Sequence, residues 1–396
     1  MEKQNIPAAV PFKFTRKMKK GLGIAAAIGL IALLWAVFIT QAPSSRIWAN
    51  LWMNAIMFLF LGLGALFFWT VNVLGESTWQ INIQRILESM SLTIPFAVVL
   101  FVIAFPGFSH IFEWTHTEHL DRVLQEKTAY LNIPFWMIRF AIYFSFWSFF
   151  AIYLRSISLK NDNSPVANYL KRVRSTSGWF MVFFAISSSM AAWDWLMSID
   201  AHWFSTLYGW YIFSSMFVAA IAVIILITIA FKYFNILPNV NTEHLHDLGK
   251  YLFGFSIFWA YLWICQYLLI WYSNIPEETF YYVERVTHFK TLFYLNVAVN
   301  FLFPLLALMT RNTKRQPLIL AIISIVVLMG HYLDLYLAIM PGAVGHENAK
   351  IGLLEIGLPF LYLAAFIAIV FVFFEKAKPV PENHPYFIES SDYENL

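Results

Sequence analysis

Trp193-Asp194-Trp195-Leu196-Met197-Ser198-Ile199-Asp200-Ala201-His202-Trp203-Phe204-Ser205-Thr206-Leu207-Tyr208-Gly209-Trp210-Tyr211 joins two long apolar segments at the middle of the chain. Within nineteen residues it holds two carboxylates, a histidine, three aliphatic hydroxyls and four tryptophans. Trp and Tyr at this density mark a boundary between bilayer and water. Asp194 lies about a turn and a half inside the preceding apolar segment. An ionisable group at such depth is costly, which makes it a functional candidate. The plainer alternative is a charge paired with a cation on a neighbouring helix.

Composition agrees with a membrane setting. Of 396 residues, 60% are hydrophobic and 12% charged, where a soluble domain carries about 25% charged residues. The single cysteine, Cys265, sits in an apolar segment. It forms no intrachain disulfide and cannot alone supply an iron–sulfur ligand set. There is no Cys-x-x-Cys-His haem attachment site.

Working outward, stretches long enough to span, about 17–25 residues, fall near 21–40, 47–74, 86–106, 133–157, 176–199, 207–233, 248–274, 289–310, 317–341 and 354–375. The fold class is therefore an all-α integral membrane protein of about ten transmembrane helices. The first run is too long for a signal-peptide core and lacks a clear cleavage site, so it reads as a retained helix. Residues 1–20 form a basic N-terminus, 21–375 the transmembrane domain and 376–396 a C-terminal tail. Pro95, Pro304 and Pro359 fall inside spans and mark kinks. The polar connections, 107–132 and 275–288 among them, are too short for a soluble domain.

Lys and Arg set the expected orientation. Nineteen of the 26 basic residues fall on the side of the N-terminus, against seven on the other. Both termini are thus expected to be cytoplasmic. With that orientation, Asp194 and Ser198, at i and i+4, lie in an outer third, with Arg139 at similar depth. His331 and Asp334, at i and i+3, share an outer-half face. Asn54, Gln266, His288 and Glu355 also fall outward. Inward lie Glu88, Ser91, Asn72 and Ser187-Ser188-Ser189. One ion pair explains two of these groups, not two acids, a histidine and an arginine together.

His116-Thr117-Glu118-His119 with Asp121, and His244-x-His246-Asp247, invite a metal reading. Neither has the spacing of a strong metal motif, so no metal is expected. His331 is the single histidine expected at depth, which argues against a bis-histidine haem. No Gly-rich phosphate loop or Ser-His-Asp arrangement is legible, and nothing points to nucleic acid.

The segment Met197 to Gly209, preceded by Trp193-Asp194-Trp195, resembles the central signature of the second large membrane subunit of alternative complex III. That assembly is a bacterial quinol:cytochrome c oxidoreductase of the inner membrane, and the subunit is similar to polysulfide-reductase (NrfD-like) membrane anchors. The resemblance implies two four-helix bundles, 47–199 and 207–341, with two peripheral helices. It implies a cofactor-free scaffold beside a paralogous quinol-oxidising subunit, with iron–sulfur clusters and haem c in periplasmic partners. Lipid is an expected companion and quinone a candidate one.

Carboxylates and histidine are the groups that relay protons inside a bilayer. The outer candidates are Asp194, Ser198, Asp200, His202, Arg139, His331 and Asp334, and the inner one is Glu88. Two alternatives stand beside this reading. One is quinone binding by His331 with Asp334. The other is a stand-alone ion-coupled transporter.

Overall fold

The computed structural model describes residues 9–116, 121–164 and 166–394. Residues 1–8 of the basic N-terminus, Thr117, Glu118, His119, and the last two residues of the tail lie outside the described residues. The described chain is helical, without strands. Hydrocarbon offers no hydrogen bonds, so backbone groups must pair within each segment. Nine helices among the described residues are long and apolar enough to cross a membrane.

Helix α1 (Arg16–Leu34) begins with Thr15 as its cap, its hydroxyl accepting from Met18 N–H. Arg16, Lys17, Lys19 and Lys20 are therefore its first turns, not a polar arm. Helix α2 (Ser44–Leu74) is almost wholly enclosed. The third span, longer than expected, divides into α3 (Gln84–Ser91) and α4 (Ile94–Ala104). The break at Leu92-Thr93 directly precedes Pro95, whose ring clashes with the preceding turn and which donates no N–H. Thr93 bonds Met90 O at 2.7 Å and packs on Gly62 of α2. A Cβ at Gly62 would come within 2.3 Å of the Thr93 hydroxyl.

Helix α5 (Ile133–Asn163) starts at Asn132, whose side chain accepts from Phe135 N–H at 2.9 Å. Helix α6 (Tyr169–Trp195) carries Asp194. It is the tenth expected span, and the one long helix outside the nine. At 27 residues it reaches about 40 Å, but serines and charged residues dilute its apolar character.

Helix α7 (Tyr208–Tyr233) leads to α8 (Thr242–Ser273), capped by Asn241. The connection 275–288, expected as a polar loop, is instead helix α9 (Pro276–His288). Glu277 and Glu278 in its first turn, and Arg285 and His288 in its last, complement the helix dipole. Its Tyr281, Tyr282 and Arg285 are buried.

Helix α10 (Lys290–Val297) passes through a π-helical turn, Ala298–Leu302, into α11 (Phe303–Ala307). Pro304 again explains the irregularity just before it. Helices α12 (Pro317–Val344) and α13 (Leu353–Glu375) complete the spans, and α13 contains Pro359.

Helix α2 packs against α3, α4, α6, α7 and α12. Helix α5 packs on α4 and α6, while α7 packs on α6, α8 and α12. Helix α1 pairs with α13, which also touches α2 and α3.

The described chain ends meet at one end of the molecule, where Phe14 N–H donates to Glu375 Oε1 at 3.1 Å. The segment after 375 is no free tail. It folds back as a strap with a short helix, α14 (Phe387–Ser391). Ser390 Oγ donates to Trp79 O at 2.9 Å, and Tyr393 Oη to Asp247 at 2.5 Å. Asn161 Nδ2 donates to Asn383 O at 3.0 Å. The connection 196–207 lies at the opposite end, where Lys127 Nζ donates to Ala201 O.

Cysteines placed at Glu126 and Lys171, at the two ends of the α5–α6 pair, should react with an impermeant thiol reagent from opposite faces of sealed vesicles. Reaction of both from one face would contradict the span assignment.

Candidate functional site

The acids of the outer group separate into two environments. On α6, Asp194 meets Arg139 of α5 in a two-pronged pair, Nε to Oδ2 and Nη2 to Oδ1, each 2.8 Å. Tyr143 Oη donates to Oδ2 at 3.0 Å. Arg139 also donates to Tyr130 O and lies over the Tyr130 ring at 3.9 Å. Ser198 Oγ bonds Asp194 O, the local i−4 bond of a helix end. Both charged groups are enclosed, and the guanidinium fork matches the carboxylate. This is a closed ion pair with its bonding capacity largely used.

Asp334 on α12 is different. It is buried, and it accepts from Tyr211 Oη, Ser215 Oγ (2.9 Å), Trp259 Nε1 (3.0 Å) and Asn296 Nδ2 (2.8 Å). Four donors fill the acceptor positions of a carboxylate. No lysine or arginine pairs with it among the described residues.

Ser215 Oγ also lies 3.0 Å from His331 Nδ1. A hydroxyl has one proton. While Ser215 donates to Asp334, His331 must donate to Ser215. If Asp334 gains a proton and donates it to Ser215, Ser215 can turn its own toward His331 when the ring carries its proton on Nε2. His331 Nε2 has no hydrogen-bond partner among the described residues. On the other side, Asn300 of the π-helical turn donates to Asn296 at 2.7 Å.

One turn beyond Asp334, Arg285 of α9 donates to Leu337 O at 2.9 Å and Ala338 O at 3.3 Å. Its Nη2 reaches Asp200 Oδ2 at 3.0 Å, and its guanidinium lies 3.3 Å over the Tyr281 ring. Gly342 lets the chain pass the Asp200 carboxylate, since a Cβ there would stand 2.6 Å from Oδ1. Between the Asp334 group and Arg285 is a void of about 20 Å³, bordered by Tyr211, Gln266, Tyr282 and Asn296. That is room for one water, which needs about 10–15 Å³ and two to four polar partners. Gln266 Oε1, buried beside it, has no other partner among the described residues.

The remaining candidates lie apart. His202 is surface-exposed, its Nε2 2.8 Å from Asp121. The Leu124 N–H first, and His202 after it, hold the Asp121 carboxyl below its ordinary value. Glu88 is at the other end of the molecule, in a network with Arg85 (2.5 Å), Ser158 (2.6 Å) and Gln84 (2.8 Å). Arg85 also pairs with Asp162, and Arg155 stands 3.7 Å from Glu88. Two arginines there face two acids.

Several participants were not singled out from sequence. Tyr211, Ser215, Trp259 and Asn296 read as ordinary apolar-helix residues, and only their convergence on Asp334 distinguishes them. Arg46 was counted for orientation, yet it binds Glu355 in a two-pronged pair of 2.8 and 2.7 Å. His244 is buried as deeply as His331, at the strap end, bonded to Asn241. No family model matches this chain, and no curated protein matches it.

Asp194→Asn strands Arg139 in an enclosed site and should destabilise the protein by about 3–5 kcal/mol. Replacing both residues by leucine should recover most of that loss in a thermal melt. Equal melting of Asp194→Asn and wild type would contradict the closed pair.

His384 of the strap is nearly buried, edge-on to Tyr169 at 5.3 Å. Burial, then Arg85, pushes its pKa from 6.5 down to about 4. A released strap therefore binds a proton more readily than a docked one. Docking should be strongest above pH 6.5 and weaken as pH falls toward 4. Limited proteolysis of residues 380–394 should rise across that window, and His384→Gln should flatten the dependence.

Proposed function

We propose that this chain is a core membrane subunit of alternative complex III, without redox cofactors of its own. It supports quinol:cytochrome c electron transfer as a scaffold and carries protons along an outer half-path centred on Asp334. The observation that carries the reading is Asp334 itself, enclosed, held by four neutral donors and, among the described residues, paired with no cation. A structural acid in a bilayer pairs with a base, as Asp194 and Glu355 do here. An acid without one is suited to gain and lose a proton.

The chain's own groups supply the route. Ser215 turns its hydroxyl between Asp334 and His331, so that the protonation of Asp334 sets which ring nitrogen of His331 carries the proton. In the other direction, the void beside Asp334 has room for a water between it and Arg285, whose fixed charge holds Asp200 near the outer surface and favours the ionised form of Asp334. Arg139, Asp194 and Ser198 serve as a structural clamp in this account, and Glu88 anchors the strap end. The helix pairings support two bundles, 47–199 and 207–341, with α1 and α13 outside them. The basic-residue asymmetry supports cytoplasmic termini in the bacterial inner membrane. The partners on this reading are the paralogous quinol-oxidising subunit and the iron–sulfur and haem c subunits.

Quinone binding is the second reading, and one observation favours moving it. The void beside Asp334, which His331 does not border, is too small for a quinone headgroup. A separate apolar cleft of about 680 Å³ lies between α2, α10, α12 and α13, with Asn54, Tyr332 and Glu355 among its few polar groups. Ligand pockets are typically about 300–1,000 Å³. A lipid or quinone tail fits that cleft better than the acid cluster. A stand-alone transporter is distinguished by purification, since haem c and iron–sulfur absorbance would not then co-migrate with the chain.

Asp334→Asn keeps size but cannot carry a proton, and its amide nitrogen can face Tyr211 and Asn296, whose hydroxyl and amide can turn to accept. The complex should assemble in normal yield, while quinol:cytochrome c turnover with proton release in vesicles falls by at least about tenfold. Normal turnover and normal proton release together would overturn the proton role.

A further inference from the structure

Glu284, His288 and His346 form a group that the account above leaves unused. Glu284 and His288 stand at i and i+4 on α9, and so on one face of that helix. His346 comes from the connection between α12 and α13. His346 Nδ1 lies 3.1 Å from Glu284 Oε1, and His288 Nε2 lies 3.7 Å from Glu284 Oε2. One ligand atom from each residue can be chosen so that all lie within 4.8 Å of one another.

We propose that these three residues bind a divalent transition-metal ion of the zinc class, which staples α9 to the connection after α12. The proposal does not depend on the proton reading.

The donor set selects the ion. Two imidazoles and one carboxylate suit zinc-class metals and leave a position for water. Calcium and magnesium prefer oxygen ligands, of which this group offers one carboxylate. A tetrahedral ion with bonds of about 2.0–2.1 Å sets its ligand atoms about 3.3 Å apart. The two histidines stand 3.1 and 3.7 Å from different oxygens of Glu284, and one ligand atom from each residue lies within 4.8 Å of the others, so small side-chain turns bring the set to that spacing.

The ring arrangement suits two neutral imidazoles. The His288 and His346 rings stack at 3.8 Å with an interplanar angle of 11°. Two imidazolium ions would repel in that position, whereas neutral rings each keep a lone pair for a metal. Binding turns the rings out of parallel until both lone pairs meet the ion. Among the described residues, Glu284 contacts these histidines and pairs with no lysine or arginine. All three side chains are partly exposed, so an ion has access and substitutions should leave the fold intact.

The position gives the ion a structural consequence. The adjacent Arg285 points inward from the same helix to Asp200 and the α12 carbonyls. An ion on Glu284, His288 and His346 joins α9 to the chain just beyond α12 on the outward side. It would hold the Arg285 helix from both faces.

The full-length chain, stripped of metal by a chelator, is titrated with Zn²⁺ by calorimetry. One ion per chain should bind. The double variant His288→Ala with His346→Ala should weaken this by more than about a hundredfold, and Glu284→Gln should weaken it in part. His202→Ala, at the other histidine–carboxylate contact on this end, should bind as wild type does. Hydrogen exchange over 276–288 and 345–352 should slow with Zn²⁺ in wild type alone. Cu²⁺ in the same site should show spin-resonance coupling to two imidazole nitrogens. Equal zinc affinity in wild type and the double variant, or no saturable zinc binding by wild type, would overturn the proposal.

Discussion

A carboxylate enclosed in a bilayer without a cation is the constraint around which the second half of this protein is arranged. Burial penalises the charge, and only hydrogen bonds offset it. Asp334 draws donors from α7, α8 and α10, which converge on α12. Each helix must hold its rotation and depth to within a hydrogen bond's tolerance. The π-helical turn after α10 follows from this region and from Pro304, and it carries Asn300 to the back of Asn296. Gly330 leaves space for the Asn300 side chain, since a Cβ there would approach Asn300 Oδ1 to 2.2 Å. Sequence, packing and the polar cluster constrain one another.

The other buried charges obey the same rule in the usual way. Arg139 with Asp194, Arg46 with Glu355, Arg285 with Asp200, and the Arg85–Glu88 network each answer an acid with a base. Such pairs rarely add much stability against an apolar replacement, but they are costly to halve. They are therefore good clamps and poor carriers, because each charge is already answered. Asp194, a candidate because of its depth, is held in such a pair by Arg139. Among the described residues, the charge distribution separates acids held by a base from Asp334, which is held by neutral donors.

Much of the fold was legible because twenty-residue apolar runs have few alternatives. The spans and the common face of His331 and Asp334 at i and i+3 could be reasoned from spacing, and the shared end of the two termini from the lysines and arginines. Helix α9 was hidden because its apolar face is short and its exposed face is charged. The strap was hidden because residues 376–394 lack periodicity, and their bonds run to Trp79, Asn161 and Asp247, remote in sequence. The partners of Asp334 were hidden for a further reason. A serine or asparagine on an apolar helix reads the same whether it bonds its own backbone or a distant acid. Only tertiary contact distinguishes Ser215, which reaches Asp334, from Ser324, which bonds Leu320 O.

The central claim is that Asp334 changes its protonation during turnover while Asp194 does not. Infrared difference spectroscopy of the reduced and oxidised complex reads this from the carboxyl C=O stretch. The account predicts a turnover-linked carboxyl band that vanishes in Asp334→Asn and persists in the leucine-paired Arg139/Asp194 variant. A carboxyl band that survives Asp334→Asn unchanged, or no carboxyl change at all, would contradict it.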